Sequence, residues 1–403
     1  MALTVEPLAF DAADLDEAVA RGIVTPVQRD AMAALARDRR TATATADDEQ
    51  FRLLTNFNDV FVTLAIVVLL FGTAGLLIEL LPGRAEIARV VLGGAVVAAI
   101  TWGLAGYFTL KRRMALPSIV LLLVFVLGNA TAAGFAGRLI APYPEWGRIN
   151  AYQYTHDGVC NRWPEWNGPV TAVVQAKPEP LAPAVCARIA RGQQTSLAFG
   201  ILLAGIVGAL AAWMHWRRYR VPITVAAGAG ALAALVVGAA QSLAPGVAAI
   251  ALWAAGVAGV GVFALAMRFD ISDPRRETRR TDVAFWLHLL AAPLIVHPLM
   301  SALGVFGPNP SPATALIVVG LYLVFTAVAL VIDRRALLVS ALAYVLYAVA
   351  SLLKQGSSDL QVPLTALVIG VFLVSLSALW RPARALAVAR LPAGWAARLP
   401  VAG

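Results

Sequence analysis

Ten apolar runs of about 18 to 25 residues, broken by short polar connectors, fill most of this chain after residue 57. They fall near 58–81, 87–110, 115–136, 195–215, 221–241, 246–268, 283–304, 312–332, 336–353 and 362–380. Each is long enough to cross a hydrocarbon core of about 30 Å as a helix. Lipid offers no hydrogen bonds to the backbone, so a spanning segment must satisfy its own N–H and C=O groups, and helices do so. The pattern predicts an all-α, polytopic membrane bundle of about ten transmembrane helices. Three domains follow: a polar segment over 1–50, a membrane domain over 51–380 and a tail over 381–403.

The polar segment has a pattern of its own. In DAADLDEAVARG, Leu15, Ala18 and Val19 recur at helical spacing, and Gly22 stands where a helix ends. A second helix opens at TPVQ, with Thr25 as N-cap, Pro26 at the first helical position and Gln28 completing a capping box. Val27, Ala31, Met32 and Leu35 continue one apolar face. Thirty residues bury too little to stand alone, so the hairpin is expected to dock on its own membrane domain, a second copy or a protein partner. TATATADDEQ then reads as a flexible linker.

The motif GIVTPVQRDAM, the polar linker and FRLLTNFNDVFVTLAIVVLLFG resemble a family of bacterial polytopic membrane proteins of unknown function. In that family an N-terminal Gly-Ile-Ile-(Ser/Thr)-x-x-Gln hairpin precedes many spans. The resemblance covers about the first eighty residues and implies architecture only, because the family supplies no activity to transfer.

Composition sharpens this picture. The 403 residues are 60% hydrophobic and 14% charged, where a soluble domain carries about a quarter charged residues. The net charge of +9 sits in short clusters between apolar runs, which fits topology control rather than nucleic-acid binding. With both termini cytoplasmic, the inside loops and tail (KRR 111–113, RRYR 217–220, 268–281, DRR 333–335 and the C-terminal residues) hold seventeen Lys and Arg. The short outside loops hold Arg84, Arg89 and Lys354. That asymmetry predicts an inner-membrane protein of bacterial type with an uncleaved first span.

Residues 137–194 then form one long periplasmic loop containing both cysteines, Cys160 and Cys186. An oxidising compartment and an even count predict a disulfide, worth about 3 kcal/mol in the chain-entropy model. The loop is aromatic, with PEW at 144–146 and again at 164–166, which suits an interfacial belt more often than a sugar platform.

The seventh run, DVAFWLHLLAAPLIVHPLM, carries His288, Pro293, His297 and Pro298. Each proline removes one helical hydrogen bond and predicts a kink. The histidines lie about 13 Å apart along the axis on opposite faces, so they share no metal on one helix. His288 and His297 are candidate contacts for a ligand or proton, with a packing role as the alternative. Asn129 is a third polar candidate. Asp270, Asp273 and Asp282 among five arginines read mainly as an orientation-setting loop, with Thr281 or Asp282 capping the seventh helix. Ala226/Gly230, Ala234/Gly238 and Ala255/Gly259 are small-xxx-small pairs that favour close helix packing or dimerisation.

No membrane-centred Asp or Glu, nucleotide motif, nucleophile motif, haem motif or metal spacing stands out, so no enzyme, metal or cofactor is expected. Two functions remain: permease-like movement of an unidentified small solute or lipid, and a non-transporting membrane scaffold or sensor working through hairpin and periplasmic loop.

Overall fold

A computed structural model describes residues 12–44, 57–80, 86–140, 182–244, 247–335 with gaps at 275, 277 and 306–311, and most of 361–394. Between 141 and 181 it describes only three short strands, and between 336 and 360 only residues 337, 338, 342 and 345. The chain divides into two compact units near Arg52.

The first unit is a helical hairpin, α1 (Ala12–Ala20) and α2 (Pro26–Ala44). Gly22 takes φ +68°, and Ile23 N–H donates to the Ala18 carbonyl at 2.9 Å, ending α1 in a Schellman turn. The capping box forms as expected. Thr25 N–H donates to Gln28 Oε1 at 2.9 Å, and Gln28 N–H donates to Thr25 Oγ1 at 3.3 Å. Arg29 ties the two helices together by donating to Asp16 Oδ1 at 2.6 Å.

The second unit is helical. Its elements are α3 (Phe57–Leu80), α4 (Glu86–Ala105) with a π-helical extension over Gly106–Lys111, α5 (Ala115–Ile140), α6 (Pro183–Tyr219), α7 (Ile223–Leu243), α8 (Ala248–Ile271), α9 (Arg279–Ala302), α10 (Pro312–Ile332), α11 (Gln361–Ala378) and α12 (Trp380–Ala389). Among the described residues, seven helices are long and apolar enough to cross a membrane, corresponding to α3 through α9, and Leu316–Ile332 is a shorter apolar helix. The ninth apolar run, 336–353, falls almost wholly outside the described residues. Phe61, Phe71, Val257 and Leu316 are all more than 60% exposed, so the outer helix surfaces are apolar, as a lipid-facing bundle requires.

Two expectations change here. The region read as loop 137–194 begins and ends in helix: α5 continues to Ile140 and α6 starts at Pro183. With 37 residues, α6 is about 55 Å long at 1.5 Å per residue, well beyond the hydrocarbon core. Between these helices, β1 (Tyr152–Tyr154), β2 (Cys160–Arg162) and β3 (Glu179–Pro180) form a small antiparallel sheet that the apolar pattern did not suggest. Both PEW segments lie outside the described residues.

Glycines let the helices touch. A Cβ placed on Gly238 of α7 would lie 2.6 Å from the Leu202 nitrogen of α6, and one on Gly205 would lie 2.6 Å from the Leu235 nitrogen of α7. A Cβ on Gly259 of α8 would lie 2.8 Å from Leu294 Cβ of α9. Gly238 and Gly259 therefore serve contacts inside one chain. Small residues replace the hydrophobic effect as the route to close packing when lipid is the solvent.

Candidate functional site

The connectors after α4, α6, α8 and α10 carry the arginine clusters, and the up-and-down helix order brings them to one end of the bundle. A buried ionic network occupies that end. It starts in α8, where nothing breaks the helix before Asp273 and Pro274, so Asp270 lies in its last turn rather than in a solvated loop. Val262, Ala266 and Asp270, four residues apart, form one buried stripe facing α9.

The following turn is fixed by Asp273. Its Oδ2 accepts from Thr278 N–H at 2.9 Å, Thr278 Oγ1 at 2.6 Å and Thr281 Oγ1 at 3.0 Å. Thr278 in turn caps α9 by accepting from Arg280 N–H. The expected cap at Thr281 or Asp282 is thereby corrected: the helix begins one turn earlier. From this start, Ala284, Leu287, His288, Ala291 and Ala292 face inward, each fully buried.

The C-terminus of α10 supplies the third partner. Asp333 N–H donates to the Leu330 carbonyl and Arg334 N–H to the Ala329 carbonyl, a Schellman turn like those at Gly22 and Gly304. Those two turns use glycine at φ +68° and +69°; this one uses Asp333 at +56°. An L-residue with a Cβ is disfavoured in that conformation. The carboxylate is what glycine would lose. Asp333 Oδ2 pairs with Arg276 at 3.0 Å, its Oδ1 accepts from Trp380 Nε1 at 2.8 Å and lies 3.6 Å from Arg384 Nε, and its carbonyl accepts from Arg276 at 3.0 Å. Arg276 itself sits at φ +56°. Strain of this kind persists only where surrounding contacts fix it.

Next to Asp333, Arg334 turns inward. Its Nε donates to Asp270 Oδ2 at 3.2 Å and its Nη2 to Asp270 Oδ1. His288 Nε2–H donates to the same Oδ2 at 2.8 Å. Exposure is 3% for Asp270, 0% for His288 and 1% for Arg334. Two carboxylates thus join the ends of α8, α9, α10 and α12. Arg334 engages Asp270 through two nitrogens, one to each carboxylate oxygen. The carboxylate fixes the imidazole tautomer by accepting from Nε2–H, leaving Nδ1 with a lone pair. That nitrogen is buried with no hydrogen-bond partner among the described residues, and the Phe263 ring lies edge-on to the imidazole with centroids 5.3 Å apart. Asp270 thereby ties the end of α8 to α9 and to Arg334 just past α10.

A second buried histidine lies in the other half of the bundle. His215 of α6 is fully buried among Tyr219, Phe125 and Trp102, whose ring centroids lie 4.5, 6.0 and 6.3 Å away. Tyr219 OH donates to the Trp102 carbonyl at 2.9 Å. The π-helical extension Gly106–Lys111 begins one turn beyond Trp102.

The expected binding residues do not converge. His288 is buried in the network, whereas His297 is exposed on the opposite face of α9. Asn129 Nδ2 donates to the Phe125 carbonyl of its own helix at 2.8 Å rather than across helices. Pro293 and Pro298 lie within a continuous α9, and Gly256 and Gly259 of α8 receive this stretch closely. Cys186 is 3% exposed and is not a free thiol; the Cys160 side chain lies outside the described residues. No group of three or more His, Cys, Asp or Glu among the described residues is arranged to hold a metal. Asp270 and Asp333 were legible only as members of basic loops, Arg334 only as an orientation marker, and His215 carried no signal beyond its place in WMHWRRYR.

No family model, curated protein or solved structure matches the chain.

Proposed function

We propose that this protein is a multi-pass membrane scaffold or sensor rather than a carrier, and that the Asp270–His288–Arg334 network is its switchable element. The supporting observation is the complete burial of an imidazole, its Nδ1 without a hydrogen-bond partner among the described residues, beside an ion pair that joins separate helix ends. A buried ionisable cluster is costly to form and points to a functional role. A carrier needs its polar groups to line a path. Here Asn129 bonds its own helix, His297 faces outward and His288 is sealed among Asp270, Arg334 and apolar neighbours. Protonation at Nδ1 adds a positive charge to a site already holding Arg334, which biases the helix ends toward separation.

The surrounding layout belongs to the same reading. The chain crosses a bacterial inner membrane ten times, with hairpin and arginine-rich end cytoplasmic, Cys160 and Cys186 joined on the periplasmic side, and the hairpin docking a second copy or a protein partner. Support comes from the Lys and Arg asymmetry and from the hairpin's exposed Val27, Met32 and Leu35.

Single-cysteine variants at Ala284 and Ala291, which flank His288 on the buried face of α9, test the choice in native membranes. At neutral pH an impermeant maleimide should leave both unmodified from either side, with Ala284→Cys alone gaining reactivity as the pH falls. Modification of both without unfolding means that water reaches His288, and the permease reading replaces this one.

A further inference from the structure

The network has an outer surface. Pro382 cannot donate to the Ala378 carbonyl, and the chain departs from α-helix at Leu379 before continuing as α12. One face of α12 is tied down: Trp380 and Arg384, each 4% exposed, reach Asp333, and the Arg335 guanidinium covers the Trp380 ring at 5.0 Å. Away from that face, exposed Leu379 (58%), Leu386 (62%) and Arg390 at the C-cap share one side, and exposed Arg381 lies on the other flank. Exposed Arg268, Arg279 and Arg280 lie at the same end, on the helices that the network joins. Paired cationic and large apolar side chains on a short helix at the end of a membrane bundle are the chemistry of an interfacial helix: leucines enter the acyl boundary while arginines meet phosphates.

We infer that α12 is an anionic-lipid contact, with Arg381 and Arg390 binding headgroup phosphates and Trp380 and Arg384 linking that contact to Asp333. This assigns an input to the switch and rests on the sensor reading for its consequence, though not for the lipid contact itself. Lipid enters as the partner because Leu379, Leu386 and Arg390 share one side, with Arg381 on the flank of the same exposed surface, and a free anion would not use the leucines. Each arginine near an anionic surface favours it by about 1 kcal/mol, or about five-fold.

Thermal unfolding of the full chain in nanodiscs of phosphatidylcholine alone, or with phosphatidylglycerol, tests this. The anionic lipid should raise the midpoint by about 3 °C. Arg381→Ala/Arg390→Ala should abolish that increment, Arg390→Lys should keep most of it, and Arg112→Ala, an exposed arginine on another connector, should retain it. An increment that survives the double substitution, or that inorganic phosphate reproduces in phosphatidylcholine, overturns the lipid contact. His288→Gln separates the two proposals. If lipid dependence fails while His288→Gln still changes modification at Ala284→Cys, the lipid inference falls and the sensor reading stands. Should the double variant misfold, lipid co-purifying with Arg390→Ala replaces the melt: unchanged phosphatidylglycerol enrichment refutes the contact.

Discussion

Two histidines are fully buried near the arginine-rich end, and their surroundings have little in common. His215 is enclosed by Trp102, Phe125 and Tyr219, and its nearest polar neighbour is Thr224 Oγ1 at 3.4 Å from Nδ1. His288 is held by a carboxylate shared with a guanidinium. One imidazole is packed as an aromatic ring and the other as a charged-network member. Burial alone therefore does not mark the switch; the partners do. A ring in an aromatic box can be replaced by another ring, whereas a carboxylate between two cationic or donating groups has no neutral substitute.

This contrast can be broken by substitution. The largest effect is expected for Asp270→Ala, which strands Arg334 and His288 in the interior. A loss of about 3–5 kcal/mol follows from uncompensated buried charge, read as a lower thermal midpoint and less monodisperse protein after detergent extraction. Asp333→Gly comes next. It relieves the left-handed backbone but leaves Arg276, Arg384 and Trp380 Nε1 without their acceptor, so a net loss of about 1–3 kcal/mol is expected. A gain in stability would mean that the turn, not the carboxylate, is what position 333 provides.

His215→Phe should cost less than about 1.5 kcal/mol, since an aromatic of similar shape keeps the box. A loss comparable to that of Asp270→Ala would erase the distinction between the two sites. The smallest net change is expected for the triple replacement Asp270→Leu/His288→Leu/Arg334→Met. Removing a buried ion pair together with all its partners is often neutral or stabilising. Equal melting of the triple variant and the parent, with Ala284→Cys modification now insensitive to pH, would identify the network as a device for switching rather than for stability.

Much of the architecture was legible along the chain, and for one reason. Hydrocarbon imposes length, apolarity and internal hydrogen bonding on each segment separately, so α3 to α9 coincide with the first seven apolar runs. The hairpin was legible for the same local reason: Thr25, Pro26 and Gln28 interact within one turn, as does Gly22 with the end of α1. The extension of α6 back to Pro183 was hidden because residues 183–194 are polar enough to read as loop although they remain helical.

The candidate site lay beyond such reading. Asp270 and Arg334 are 64 positions apart, and Asp333 and Trp380 are 47 apart; their residue types equally suit solvated connectors. Only the folded chain shows that Asp270 completes the buried stripe of α8, that His288 meets it from α9, and that Asp333 keeps a left-handed turn where Gly22 and Gly304 occupy the equivalent positions. What sequence determined by itself was which segments form long apolar helices, because that depends on neighbours a few residues away. Tertiary structure decided which charges are buried and with whom. That depends on long-range contacts, and charge burial is favourable only after a partner from a distant helix has arrived.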